Sequence, residues 1–240
     1  MIVHGMAQDT TEKLTEGRRR VFLVRHGEVS YFDADGRPFR PDTVPLNEEG
    51  RAQAEAAARL FADLPLDRVV SSGLPRTDQT AEILVRGSGL TIETREALRE
   101  IRPGRLADIP PESIEQAFVG AFAGSIDRET RFLGGENFGS LVDRVLACFD
   151  GLLADPSWRH LLIVAHGGVN RAILCQAMGQ GLGGFGAIEQ DAGGINIIDL
   201  DPGGRCIVRL LNFTPYNPAK VGLTLTTMER LFHDYCARKK

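Results

Sequence analysis

The chain has 240 residues, 42% hydrophobic and 25% charged, with a formal net charge of −4; this is the balance of an ordinary globular protein and excludes broad disorder. Such a length can bury a sizeable core and, in an α/β architecture, commonly remains one domain, while the mild acidity leaves no electrostatic footprint for general nucleic-acid or membrane-surface binding. No stretch approaches the roughly 20 apolar residues of a bilayer-crossing helix.

Residues 1–17 carry Gln8, Asp9, Glu12 and Lys13 where a secretory signal needs a continuous apolar run, so a cytoplasmic location is expected. This segment is expected to be a flexible polar extension, with a short docked helix as the alternative. Arg18-Arg19-Arg20 is too short a basic run to read as a binding patch and suits a solvated strand edge. Val21-Phe22-Leu23-Val24 is an apolar run of strand formers that delivers the chain to Arg25-His26-Gly27. Residues 30–45 follow as a long irregular loop punctuated by Gly36, Pro38, Pro41 and Pro45, of the kind that covers a binding site.

Asn47 is a predicted cap for a helix that starts with Glu48 and Glu49 and runs to about Asp63. Val69-Val70 reads as a strand ending at Ser71-Ser72-Gly73, residues 77–85 as a helix, and residues 90–94 as a third strand leading to Leu98-Arg99-Glu100-Ile101. The stretch from Arg102 to about Pro111 is rich in Pro and Gly, and the region after it is expected to be helical. Phe138, Leu141, Val142, Val145, Phe149, Leu152 and Leu153 then repeat at helical spacing up to the stop at Asp155-Pro156. Leu161-Leu162-Ile163-Val164-Ala165 is the clearest buried-strand run, and it empties onto His166-Gly167-Gly168 before a helix from about Val169. Residues 195–200 and 206–211, joined by Asp201-Pro202-Gly203-Gly204, read as a hairpin, which makes one strand of the sheet antiparallel. Strand alternating with helix predicts an α/β fold with a mostly parallel sheet. Cys148, Cys175, Cys206 and Cys236 show no paired short spacing and are expected to be reduced, mostly buried thiols.

Open α/β sheets place their ligands beyond the carboxyl ends of the strands. Four such places hold unusual polar chemistry: Arg25-His26-Gly27, Arg76 after Ser71-Ser72-Gly73-Leu74-Pro75, Glu100, and His166-Gly167. In order and context these motifs resemble the histidine phosphatase superfamily, which includes cofactor-dependent phosphoglycerate mutases and many phosphomonoesterases. Arg25-His26-Gly27-Glu28 resembles its leading motif, and residues 45–54 the start of its first helix. Residues 71–81 resemble its arginine-bearing segment and residues 98–101 its acid-bearing segment. Gly134-Gly135-Glu136-Asn137 is similar to a Gly-Gly-Glu-Ser element, and residues 164–168 to the second histidine motif. The resemblance spans about residues 20–200. It implies a three-layer α/β/α sandwich of the phosphoglycerate mutase-like kind, over one domain at 18–240 with a lid insertion at about 102–138.

Phosphate monoesters hydrolyse extremely slowly unaided, so a nucleophile, charge neutralisation and leaving-group protonation are all useful. A neutral imidazole of His26 can attack phosphorus, splitting one displacement into two through a phosphohistidine. Arg25 and Arg76 offer guanidinium forks to phosphate oxygens, and their field should depress the His26 pKa while a backbone carbonyl holds the other ring nitrogen. His166 is expected to be catalytic and to bind phosphate alongside Gly167, and Gly27 and Gly167 would let backbone approach an oxyanion. Glu100 is the candidate proton donor and later the base for water, a role that calls for partial burial. Glu28 and Glu136 are candidates for supporting the residues that touch phosphate.

No cofactor and no metal are expected. Zinc held by His26, His166 and a carboxylate is the competing chemistry, weakened by flanking arginines and by the lack of close His or Cys spacing. His4, His160 and His233 follow no such strand end and read as structural. The chain departs from the mutase pattern at Val29, Phe32 and Asn137, at Arg102-Pro103-Gly104-Arg105 where Trp-Glu-Gly is usual, and in lacking paired arginines for a second phosphate. These departures favour hydrolysis of a small phosphorylated substrate. A phosphoglycerate-mutase-like phosphotransferase and a non-catalytic phosphate-binding module are the alternatives, and homo-oligomerisation stays open.

Overall fold

Alternation in the two strongest apolar runs sets the architecture seen in the computed structural model, which describes residues 17–33, 37–122 and 126–237. Strand β1 (Arg19–Arg25) turns Val21 and Leu23 to one face of the sheet and Phe22 and Val24 to the other, all at most 4% exposed. Strand β4 (His160–Ala165) does the same with Leu161 and Ile163 against Leu162 and Val164. Both strands are therefore covered on both sides, and three layers follow.

The six strands lie in the order β3-β2-β4-β1-β5-β6, with β2 (Arg68–Ser71), β3 (Ile92–Thr94), β5 (Ile195–Leu200) and β6 (Cys206–Phe213). The pairings β1–β4, β2–β4 and β2–β3 are parallel, whereas β5 runs antiparallel to both its neighbours, β1 and β6. Strand β5 is the one antiparallel strand that the hairpin predicts. On one face lie α1 (Glu48–Phe61) and α2 (Pro75–Leu84), which pack Ala57, Phe61, Ala81 and Leu84 against Phe22, Val24 and Val69. On the other lie α4 (Phe138–Ala154) and α5 (Gly167–Ala177), whose Leu141, Val145, Phe149 and Ile173 meet Val21, Leu23 and Ile163.

Helix boundaries follow local chemistry. Asn47 caps α1 by accepting from Gly50 N at 2.8 Å, and Asn137 caps α4 by accepting from Ser140 N at 2.7 Å. Asparagine at 137 thus satisfies the same orphan amide that a serine would.

Three readings need correction. The region after Pro111 contains one short helix, α3 (Ile114–Val119), flanked by 3-10 turns, because Pro103, Gly104, Pro110, Pro111 and Gly120 leave no longer run that can propagate. A helix that the sequence reading did not include, α6 (Thr227–Ala237), packs on α3 through Phe118, whose ring lies 6.0 Å from Phe232 and 5.7 Å from Tyr235. Of the cysteines, Cys175 is buried, Cys148 and Cys206 are half-buried and Cys236 is exposed on α6, all free thiols. Arg19 and Arg20 serve the fold. The Arg19 guanidinium stacks 4.4 Å from the Trp158 ring, and Arg20 forks onto Asp199 at 2.6 and 3.0 Å. The extension expected over residues 1–17 lies, except for Gly17, outside the described residues. Among those, no helix is long and apolar enough to cross a membrane.

Candidate active site

Register places the two histidines side by side. Arg25 at the end of β1 pairs with Ala165 at the end of β4, so His26 and His166 leave neighbouring parallel strands at one level, and His26 N donates to Ala165 O at 3.0 Å. Their rings meet edge to face with centroids 5.2 Å apart. His26 is 2% exposed, its Nδ1 lies 2.7 Å from Gly27 O, and its Nε2 accepts from Arg76 Nε at 3.2 Å. An Nε2 that accepts is unprotonated, so the ring's proton sits on Nδ1 and donates to the carbonyl. Burial, then the charges of Arg76 and Arg25, push the His26 pKa well below the ordinary imidazole value and keep that lone pair available.

Around this nitrogen the guanidinium groups are individually tied down. Arg76, 2% exposed on the first turn of α2, donates from Nη1 to Pro41 O at 2.6 Å, which ties the chain at Pro41 to the site. Arg25 donates from Nη1 to Gln190 O at 2.5 Å and to Thr227 Oγ1 at 3.1 Å, which brings the start of α6 to the same place. Arg25 Nε, however, is buried with no hydrogen-bond partner in the protein, and so is Nδ1 of His166. The opposite ring nitrogen of His166 shares a 2.8 Å bond with Ser72 Oγ. Burial, followed by Arg76, His26 and Arg25, holds His166 neutral as well. An unpaired buried donor costs about 1–3 kcal/mol; the free Arg25 Nε–H in a pocket with neutral imidazoles marks a place for an anion.

Glu100 reaches this site from the irregular segment after β3 and is half-buried. Its Oε1 accepts from Ile101 N at 2.9 Å and its Oε2 from Gly168 N at 3.1 Å, the second being one of the orphan amides that open α5. The close approach explains Gly168: a Cβ there would lie 2.5 Å from Glu100 Oε1. Gly167, which begins α5, has its Cβ position 3.5 Å from Arg171 Nη1 and 3.8 Å from both Arg25 Nε and Glu100 Oε2. Gly27 has a different reason from the one expected. A Cβ on it would collide with the backbone of Gly50, so its missing side chain docks the His26 loop on α1.

The structure thus brings His26, His166, Arg25, Arg76, Glu100 and Gly167 together. Glu28 works chiefly through its main chain: its N donates to Gln53 Oε1 at 2.9 Å and its O accepts from Asn47 N, while its carboxylate takes Val29 N at 3.4 Å. Glu136, its side chain 4% exposed, pairs with Arg144 at 2.9 Å. Burial works to raise its pKa, but bonds from Arg144 and from Arg102 N hold it below the usual carboxylate range.

Sequence reasoning missed several participants. Thr80 on α2 accepts from Gly27 N at 3.2 Å, and Ser72 sets one side of His166. Arg171 on α5, 4% exposed, is a third guanidinium beside the site, held by Ile188 O at 2.5 Å and Glu189 at 3.2 Å with its guanidinium carbon 4.5 Å from the Phe122 ring centre. Only Arg171, five residues after His166 on a helix N-terminus, left a readable signal. Among the described residues, no three His, Cys, Asp or Glu side chains gather in a way that could hold a metal ion.

Residues 21–213 match the family model described as "Histidine phosphatase superfamily (branch 1)". The "Probable phosphoglycerate mutase GpmB" of Salmonella paratyphi A is 33% identical over 150 residues, covering 62% of this chain and 69% of that protein. The protein of the same name from Yersinia pestis is 32% identical, covering 67% and 75%. Among solved structures, mycobacterial glucosyl-3-phosphoglycerate phosphatase in complex with VO3 superposes with a TM-score of 0.66 at 26% identity, covering 81% of this chain and 98% of that one. A structure titled "Mycobacterial hydrolase 1" superposes with a TM-score of 0.67 at 25% identity, covering 82% and 99%.

Proposed function

Because the chain belongs to branch 1 of the histidine phosphatase superfamily, we propose that it hydrolyses small phosphate monoesters through a phosphohistidine on His26. The observation that carries this reading is the buried His26 Nε2 lone pair, flanked by Arg76 and by two unpartnered buried nitrogens, Arg25 Nε and His166 Nδ1. Phosphoryl oxygens supply the partners those nitrogens lack. Thr77 gives its hydroxyl proton to Leu74 O and takes that of Ser72, so His166 Nε2 donates to Ser72 and its Nδ1 presents a lone pair that accepts from a protonated phosphoryl oxygen, beside the donors of Arg25, Arg76 and the Gly167 amide at the opening of α5.

In the first half-reaction Nε2 of His26 forms a bond to phosphorus as the ester P–O bond breaks, and Glu100 gives its proton to the leaving oxygen. In the second, Glu100 takes a proton from water, whose oxygen displaces Nε2 and releases inorganic phosphate. Glu100 contributes about 10²–10⁴ in rate by such transfers. Pro41 O binds Arg76, Thr227 Oγ1 binds Arg25 and α6 packs on Phe118, and we assign the 30–45 loop, the 102–138 insertion and α6 to the lid and leaving-group pocket of a single 18–240 domain. The phosphatase names of solved relatives support hydrolysis. A cytoplasmic enzyme needing no cofactor, nucleic acid or membrane partner fits this reading.

The GpmB relatives favour a second reading, transfer of phosphate between positions of a phosphoglycerate. Incubation with a panel of phosphorylated metabolites separates the two. Hydrolysis predicts release of inorganic phosphate that His26→Ala abolishes, and a mutase predicts isomerised phosphoglycerate dependent on a bisphosphate primer. Full phosphate release by His26→Ala would refute the mechanism.

A further inference from the structure

Glu100 sits in a segment with little regular structure of its own. After the 3-10 turn Glu96–Leu98, residues 99–105 belong to neither helix nor strand, so their carbonyls need partners from elsewhere. One side chain on α4 supplies them. Arg144 donates from Nη1 to Ala97 O at 2.7 Å and Arg99 O at 2.6 Å, and from Nη2 to Glu100 O at 3.2 Å. Its Nε and Nη2 bind the two oxygens of Glu136 at 2.9 and 3.1 Å. Every N–H of the guanidinium is therefore used. Glu136 extends the grip: its Oε2 accepts from Arg102 N at 3.0 Å, and its own N donates to Arg102 O at 2.9 Å. The segment is held on both sides of Glu100.

We propose that Arg144, braced by Glu136, is a positioning residue that sets the Glu100 carboxyl for proton transfer; this rests on the reading of Glu100 as the proton donor. Among the described residues two amides hold the carboxyl itself, and one of them, Ile101 N, belongs to the very segment that Arg144 pins. Release of the carbonyl of Glu100 and of its neighbour Arg99 lets that amide shift and loosens the bond to Gly168 N. A general acid must be held to within about 0.5 Å, so such freedom costs rate. Leu98 and Ile101, at most 2% exposed, anchor the same segment in the core, so losing Arg144 slackens it without detaching it. Lysine cannot stand in, because one ammonium has three donors at a single point where the guanidinium spans five.

The test compares Arg144→Met, Arg144→Lys and Glu136→Gln with Glu100→Gln on two probes, p-nitrophenyl phosphate, whose leaving oxygen needs little protonation, and phenyl phosphate, whose leaving oxygen needs much more. Glu100→Gln as the reference loses about 10²–10⁴-fold on phenyl phosphate and far less on p-nitrophenyl phosphate. The expected result is that both Arg144 variants show the same bias, with kcat on phenyl phosphate down at least tenfold and KM nearly unchanged. Adding Arg144→Met to Glu100→Gln should cost nothing more. Glu136→Gln, which keeps shape and removes the brace's charge, shows the bias more weakly and serves if the Arg144 variants fail to fold. Equal losses on both probes, or additive losses in the double variant, overturn the proposal while Glu100 keeps its role. A Glu100→Gln enzyme without the bias instead overturns the reading of Glu100 itself.

Discussion

Acid should destabilise this protein in a window set by its two active-site histidines. His26 and His166 are buried, and their environment holds both pKa values well below 6.5, whereas in the unfolded chain they titrate near 6.5. Between those limits the unfolded state binds more protons than the folded state, so stability falls as pH falls. The slope approaches about 1.4 kcal/mol per pH unit for each histidine, and from pH 7.5 to 5.0 the pair removes at most about 4 kcal/mol. That is a large part of a typical total of ~5–15 kcal/mol. Carboxylates with depressed pKa values, such as Glu136 and Asp199, act in the same direction but only below about pH 4.5, so they leave this window to the histidines. Urea unfolding followed by far-UV circular dichroism in phosphate-free buffers from pH 7.5 to 5.0 measures the loss. His26→Gln should roughly halve it, since one titrating group remains. A stability that stays flat across this range, or a slope that survives in the double Gln variant, would refute the burial argument.

Two further substitutions test local contacts. Gly168→Ala places a Cβ 2.5 Å from Glu100 Oε1 and should lower hydrolysis of phenyl phosphate about 10²-fold with an unchanged circular dichroism spectrum, consistent with a displaced proton donor. Asn137→Ala removes the cap on Ser140 N and should cost about 1 kcal/mol, a Tm fall of roughly 2–4 °C, while Asn137→Ser should be close to silent in the same thermal melt.

How much of this was legible in the sequence depended on whether a residue's partner lay in a recognisable place. His26, Arg76, Glu100 and His166 follow strands, and strand ends can be read from short apolar runs. Arg144 could not be found that way. It occupies the polar side of an amphipathic helix whose core positions are Leu141, Val145 and Phe149, and nothing in that pattern distinguishes a solvated arginine from one that binds carbonyls more than forty residues upstream. Ser72 and Thr80 were hidden similarly, as a common turn residue and a common helix residue whose partners are set by tertiary packing. Gly27 was read as making room for a ligand when the neighbour it accommodates is the backbone of Gly50. Helix α6 did carry a signal, Met228, Leu231, Phe232 and Tyr235 at helical spacing, and its burial against Phe118 shows that the pattern was informative.

The sheet order also governs how the molecule must be assembled during synthesis. Strand β1 is made first, yet both its neighbours, β4 and β5, come from the last third of the chain. About 135 residues separate the end of β1 from the start of β4, which at ~5–20 residues per second leaves the first strand without either partner for roughly 7–27 s. During that interval a fully apolar Val21-Phe22-Leu23-Val24 with two open edges is a template for pairing with other chains. The two histidines that share one level in the finished sheet thus meet only late, and a ribosome-bound chain has no reactive centre until β4 docks beside β1.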